Sequence, residues 1–241
     1  MKPFKFKQFE IIQKQNPQKV GTDSMLLGAW TSQIVDRPVS RILDIGTGTG
    51  ILALMMAQSF LQANITAIEP MKEAELEANL NFKSSPFSNR ILSIYTKLQD
   101  FGAMEKFDLI ICNPPYYDGT FKSENVNRNQ ARHNDHLPPH ELYECVAELL
   151  SPNGWFNLIL PYSVITEHIE RAFDNALFLQ NILHTIKEDG ERKRSILSFG
   201  FNEVDPTENE LIVKYKDGSY SQAYIKLTEA FYRKDLRSAL S

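Results

Sequence analysis

Apolar positions fall in short continuous runs separated by longer mixed stretches, the pattern of strands buried on both faces alternating with helices. Arg41–Asp44, Asn64–Glu69, Ile91–Tyr95, Phe107–Cys112, Trp155–Leu160, Leu179–Lys187 and Ser195–Asn202 read as strands, with Glu210–Lys216 a candidate edge strand. Helices are expected over Ser24–Gln33, Ile51–Gln62, Met71–Asn81, Pro139–Leu150, Ser163–Ala176 and Ser221–Leu236. In the first of these, Leu26, Leu27 and Trp30 share a face, and Thr22-Asp23 is the expected cap. Phe4-Lys5-Phe6-Lys7 alternates and Phe9–Ile12 continues extended, which reads as a short strand pair or arm before the Asn16-Pro17 turn. No internal repeat or composition break divides the chain, so residues 1–241 read as one domain, with 1–35 an N-terminal extension and 36–241 the core.

The first strand opens into Asp44-Ile45-Gly46-Thr47-Gly48-Thr49-Gly50, and an apolar helix-forming run starts at Ile51. Glycines at alternate positions permit positive φ and close approach of a ligand to the backbone. The new helix offers unpaired N–H groups beside them. The dinucleotide fingerprint has G-x-G-x-x-G and favours a pyrophosphate. Here the spacing is G-x-G-x-G with an acid two residues ahead, so Asp44 is expected to point a carboxylate into the pocket, suited to an ammonium or hydroxyl. Glu69 closes the second strand, where a carboxylate can accept both hydroxyls of a ribose. This turn resembles the first motif of the S-adenosylmethionine-dependent methyltransferases with a Rossmann-like fold. The resemblance implies a cofactor site at Asp44, Gly46, Thr47, Gly48, Gly50, Glu69 and Pro70, with Thr22 and Asn113 as further lining. After the third strand that pattern has an acid for the cofactor's adenine. Here Lys97 has the wrong charge and Asp100 comes late, leaving a backbone N–H near Leu98 as the candidate.

The fourth strand runs directly into Asn113-Pro114-Pro115-Tyr116. This matches the fourth motif of methyltransferases that act on amino nitrogens held in a planar π system. Such a nitrogen has a delocalised lone pair and is a poor nucleophile. The Asn113 side-chain oxygen and the Pro114 carbonyl can accept its two hydrogens and turn its lone pair toward the methyl. Pro114 and Pro115 stiffen the turn, and Tyr116 can stack on the flat target group. A long polar loop follows, Tyr117–Pro138, carrying Lys122, Arg128, Arg132 and His133.

Three further stretches extend the likeness. They are Phe6–Phe9 with Val20–Trp30, then Asn113–Tyr117, then Gln130–Arg132; Tyr220–Tyr224 and Leu227–Tyr232 complete it. Together they are similar to the bacterial tRNA1(Val) adenine-37 N6-methyltransferase family over nearly the whole chain. That resemblance implies a class I methyltransferase fold, an α/β doubly wound, mostly parallel seven-stranded sheet with an antiparallel strand near one edge. It implies S-adenosylmethionine as cofactor and methylation of an adenine beside a tRNA anticodon. The residues alone support amino-group methylation. An rRNA guanine-N2 enzyme or a protein-glutamine N5-methyltransferase is the alternative, the latter disfavoured by the roughly 40 residues that precede the glycine turn.

Composition and charge narrow the setting. No apolar run approaches the roughly 18 residues of a membrane helix, and the start, Met1–Lys7, lacks the apolar region of a signal peptide. Two cysteines, Cys112 and Cys145, form neither a disulfide framework nor a metal pattern. A cytoplasmic enzyme without metal, membrane or obligatory protein partner is expected. The net charge of −4 argues against a broadly basic coat. Residues 1–20, however, carry five lysines against Glu10 alone, so an RNA-binding rim is expected from Lys5 and Lys7 together with Lys122, Arg128 and Arg132.

Overall fold

The computed structural model describes residues 3–13, 21–114, 137–233 and 236. Two short strands, β1 (Phe4–Lys5) and β2 (Glu10–Ile11), pair antiparallel, as the alternation predicts. There follow α1 (Thr22–Ile34), β3 (Arg41–Ile45), α2 (Ile51–Ser59), β4 (Asn64–Glu69), α3 (Lys72–Lys83), β5 (Ile91–Tyr95) and β6 (Phe107–Cys112). From residue 139 onward come α4 (Pro139–Leu149), β7 (Leu150–Pro161), α5 (Ile165–Asp174), β8 (Phe178–Ile186), β9 (Arg192–Gly200), β10 (Thr207–Ile212) and α6 (Gln222–Thr228).

The main sheet has the order β10-β8-β9-β7-β6-β3-β4-β5. All neighbours are parallel except β9, which runs antiparallel to β7 and β8. The expected seven strands are all present in a Rossmann-like, doubly wound order. The sheet nevertheless has eight, because the candidate edge strand is real and begins earlier, at Thr207. Two strands therefore lie outside β9 rather than one.

Strand parity decides which side chains meet which helices. Ile42, Leu109, Ile111 and Ile159 pack into one core with α1, α2, Phe82 and Ala78 of α3, and the β1–β2 arm. Leu43, Ile45, Ile110 and Cys112 pack into the other, with Leu142, Tyr143 and Val146 of α4 and Ala172 of α5. Burial on both faces explains why the strands read as continuous apolar runs. It also assigns faces at the strand ends: Asp44 continues the face of Ile42, and Asn113 continues that of Ile111. Both belong to the α1–α2 side.

Helix ends show where local signals held. Pro139 is the first residue of α4, where a missing N–H is harmless. Ser221 caps α6, its hydroxyl accepting from the Tyr224 N–H at 3.0 Å. The helix stops at Thr228, well short of the expected Leu236. At α1 the cap is Gly21, with no side-chain cap bond, so Thr22 and Asp23 are released for other contacts.

Candidate active site

β3 and β6 are neighbours in the sheet although β4 follows β3 in the chain. Their C-terminal ends mark the point where the winding reverses, the usual place for a ligand crevice in an open α/β sheet. A cleft of about 360 Å³ opens there, lined by Gly21–Ser24, Gly46–Thr49, Ile51, Leu52 and Asn113. The glycine turn after β3 and the asparagine after β6 are thus brought together, with the first turn of α1 as a third wall. Thr22 is on that wall, as expected.

The turn is built from backbone. The N–H groups of Gly46 and Thr47 both donate to the Ile68 carbonyl at 3.0 Å, folding the turn across the end of β4. Gly46 and Gly50 have φ of +67° and +85°. A Cβ placed on Gly46 would meet nothing within 4 Å, so the space against this backbone belongs to the cleft. One on Gly50 would be driven into the Phe82 ring.

Asp44 does not reach the cleft surface, contrary to the expectation that its carboxylate points into the pocket. It is fully buried beneath the turn. Parity is the reason: on the Ile42 face it meets the start of α2. Oδ2 accepts from Thr47 Oγ1 at 2.5 Å and from the Ala53 N–H at 3.1 Å. Oδ1 is buried with no hydrogen-bond partner among the described residues. Burial raises its pKa to about 7, against the lowering effect of the Thr47 and Ala53 bonds and with a smaller raising effect from Glu69.

Glu69 is also buried, its two oxygens aligned by backbone. Oε2 accepts from the Gly48 N–H at 2.9 Å and Oε1 from the Met71 N–H at 3.0 Å. Each carboxylate oxygen has further acceptor capacity, and Pro70 keeps the following backbone from donating. Leu98 is buried in the same core cluster as Ile45 and Ile68, while Lys97 and Asp100 are exposed.

Asn113 sits half-buried at the cleft wall, and its Nδ2 donates to the Ser24 hydroxyl oxygen at 3.0 Å. Pro114 follows, half-buried. Pro115, Tyr116, Lys122, Arg128 and Arg132 lie outside the described residues. Lys5 is paired with Glu10 at 2.8 Å. The Lys7 N–H donates to the Phe231 carbonyl, and the adjoining Ala230 carbonyl accepts from Gln58, next to the last residue of α2. Both lysines are exposed. They are not among the residues lining the cleft.

Three contacts escaped the sequence reading. Ser24 meets Asn113 across 89 residues. Asn81 of α3 accepts from the Ile12 N–H and donates to the Ile12 and Thr49 carbonyls, all at 2.9 Å, tying the N-terminal arm to the turn. Asp23 pairs with Arg194 of β9 at 3.0 Å. The only local hint was a polar residue at a position that should be buried, as at Asn81.

Known proteins place this geometry. A family model described as the methyltransferase small domain matches residues 21–139. A Flavobacterium psychrophilum protein named tRNA1(Val) (adenine(37)-N6)-methyltransferase is 39% identical over 234 residues, covering 96% of this chain and 99% of its own. A Bacteroides fragilis protein of the same name is 40% identical, with 96% and 98% covered. The chain belongs to the tRNA1(Val) (adenine(37)-N6)-methyltransferase family. Among solved structures, a predicted O-methyltransferase from Agrobacterium tumefaciens superposes with a TM-score of 0.64 at 19% identity, over 87% of this chain and 96% of that one. A Pyrococcus furiosus methyltransferase gives 0.55 at 22%, over 79% and 88%. These two likenesses concern the fold, which is that of the class I methyltransferases.

The raised pKa of Asp44 carries a measurable signature. The folded carboxyl holds its proton up to about pH 7, whereas the unfolded one has lost it by about pH 5. Its contribution to stability is therefore fully present at low pH and is withdrawn as pH rises through 7. Between pH 6 and 8 the ligand-free protein should lose about 1.4 kcal/mol relative to Asp44→Asn, a Tm difference of about 3–6 °C. Scanning calorimetry of both proteins across that range is the check. Parallel Tm curves would mean that Asp44 is ionised throughout.

Proposed function

We propose that this chain methylates the exocyclic N6 amine of adenine 37 in tRNA1(Val). The carrying observation is the pairing of a near-full-length relationship to proteins of that name with Asn113 held at the mouth of the glycine-turn cleft. No feature of the cleft favours the guanine or glutamine alternatives. The cofactor is S-adenosylmethionine, which when bound supplies an electrophilic methyl group. The residues present fit it: open space faces Gly46, Glu69 is oriented by two N–H groups, and the buried Asp44 Oδ1 still lacks a donor beneath the turn.

In this reading each residue acts by position and dipole. Asp44 holds the turn against the start of α2, and its unpaired oxygen favours a cationic group above. Glu69 accepts the ribose hydroxyls. Thr22 and the Gly46–Gly50 backbone wall the amino-acid part, and Pro70 and Leu98 flank the adenine. The Asn113 Oδ1 accepts one hydrogen of the target amine and the Pro114 carbonyl the other. Both oppose the positive charge that develops on N6 during transfer. No base is needed beforehand, because the proton leaves a cationic amine afterwards. Pro115 and Tyr116 complete the base pocket in this proposal.

RNA contact is assigned to Lys5, Lys7, Lys122, Arg128 and Arg132, as the charge pattern of the sequence suggests. Free Cys112 and Cys145 fit a cytoplasmic setting. No helix among the described residues is long and apolar enough to cross a membrane.

The test is nucleoside mass spectrometry of tRNA1(Val) after incubation with the protein and S-adenosylmethionine. N6-methyladenosine should appear in the anticodon-loop fragment of the wild-type tRNA. It should be missing when adenine 37 is replaced by guanine. Methylation of the guanine variant, or of rRNA alone, would overturn the assignment.

A further inference from the structure

We propose that Ser24 is a positioning residue for the transfer step, holding the Asn113 amide in place at the cleft wall with its Nδ2 turned to the helix; this deepens the methyl-transfer reading and rests on it. An asparagine amide has a donor end and an acceptor end of nearly equal size. Only the acceptor end assists an amine that must shed positive charge. With the amide flipped, an N–H would face the amine hydrogens. A bond that holds Nδ2 leaves Oδ1 turned the other way. Asn113 Nδ2 donates to Ser24 Oγ at 3.0 Å, and Ser24 is buried.

A hydroxyl can donate as well as accept, so Ser24 acts by fixing where the Asn113 amide sits, which requires that its own position be held. Ser24 lies in the first turn of α1, and the helix is pinned at both ends. Its neighbour Asp23 accepts from Arg194 Nε of β9 at 3.0 Å. Two turns on, Thr31 Oγ1 accepts from Asn157 Nδ2 at 3.1 Å, and the Asn157 oxygen accepts from Ser198 of β9. Asn157 is the register partner of Ile111, two residues before Asn113. The strand that leads into Asn113 and the helix that bears Ser24 are therefore referenced to the same neighbouring strand. Apolar packing of Leu26, Leu27 and Trp30 completes the anchorage.

The experiment compares Ser24→Ala and Ser24→Cys with wild type. Cysteine keeps the shape but is a weak acceptor. Both variants should lose about tenfold in kcat, the size of one neutral hydrogen bond. Tm should fall by no more than about 2–6 °C, and KM for tRNA should stay within error, a split of kcat from KM that a merely structural residue would not produce. A second readout needs no activity: the Asn113 side-chain amide signals in a nitrogen–proton correlation spectrum, assigned by their loss in Asn113→Ala. The proton bonded toward Ser24 should shift in both variants. Unmoved amide signals would overturn the hydrogen bond, and moved signals with unchanged kcat would overturn its role. If wild type fails to methylate tRNA at all, the functional reading falls and this role with it, whereas the amide shift still reports the contact.

Discussion

Replacement of Asn113 by alanine should lower kcat by about 10²–10³-fold while leaving the affinity for S-adenosylmethionine within about twofold. The magnitude follows from other sites where one preorganised dipole opposes charge that exists only near the transition state. In the ground state the adenine amine is neutral, and an acceptor beside it stabilises it modestly. As the carbon–nitrogen bond forms, the amine becomes cationic and the interaction strengthens. An interaction made chiefly at that point is lost from kcat and kcat/KM alike, with KM little altered. Cofactor affinity should hold because the turn is organised by other groups: Asp44 with Thr47 and Ala53, and Glu69 with Gly48. The fold should tolerate the change, since Asn113 is half-buried at the cleft wall and its bond to the Ser24 hydroxyl is a neutral one. Single-turnover methylation separates the chemical step from binding, and calorimetry gives the cofactor affinity. Near-normal turnover in the variant would remove Asn113 from the mechanism.

The chemistry was more legible in the sequence than its orientation. Glycines, an acid and Asn-Pro-Pro-Tyr announce themselves because few other residue types can serve at the end of a buried strand. Which face a strand-end residue takes is a different matter. It depends on which helix layer lies above each face, and continuous apolar runs such as Arg41–Ile45 carry no alternation to reveal it. Asp44 was accordingly placed in the pocket when it lies under the turn. The same blindness hid Ser24, whose partner is 89 residues away, and Arg194, paired with Asp23 across 171. Neither pair has a local signature. The arm that bears Lys5 and Lys7 is placed by Phe6, which stacks on Phe9 and on Tyr232, and by Asn81, contacts that the charge of the segment does not reveal.

Two glycines of the same turn should fail in opposite ways when changed to alanine. At Gly50 the penalty is to the fold. Its φ of +85° costs an L-residue about 1–2 kcal/mol. The added methyl would also strike the Phe82 ring, which is buried in the core beneath α3, and overpacking there costs about 1–3 kcal/mol more. Together they predict a loss of about 2–5 kcal/mol and a fall in Tm of roughly 5–15 °C for a chain of this length. A second substitution, Phe82→Leu, should restore part of the loss by making room, although alone it destabilises by opening a cavity. That sign reversal is the decisive feature, because strain at φ alone would not respond to Phe82. At Gly46 the φ of +67° carries a similar backbone cost, but the methyl meets open space. Gly46→Ala should therefore lower Tm by only a few degrees. Its methyl would occupy the side of the turn that the cofactor must approach, so S-adenosylmethionine affinity should drop at least tenfold. Thermal melts with and without the cofactor distinguish the two: Gly50→Ala should melt early but still be raised by ligand, and Gly46→Ala should melt near wild type and respond little. If Gly46→Ala binds the cofactor normally, the ligand does not lie against this face of the turn, and the cleft assignment has to move.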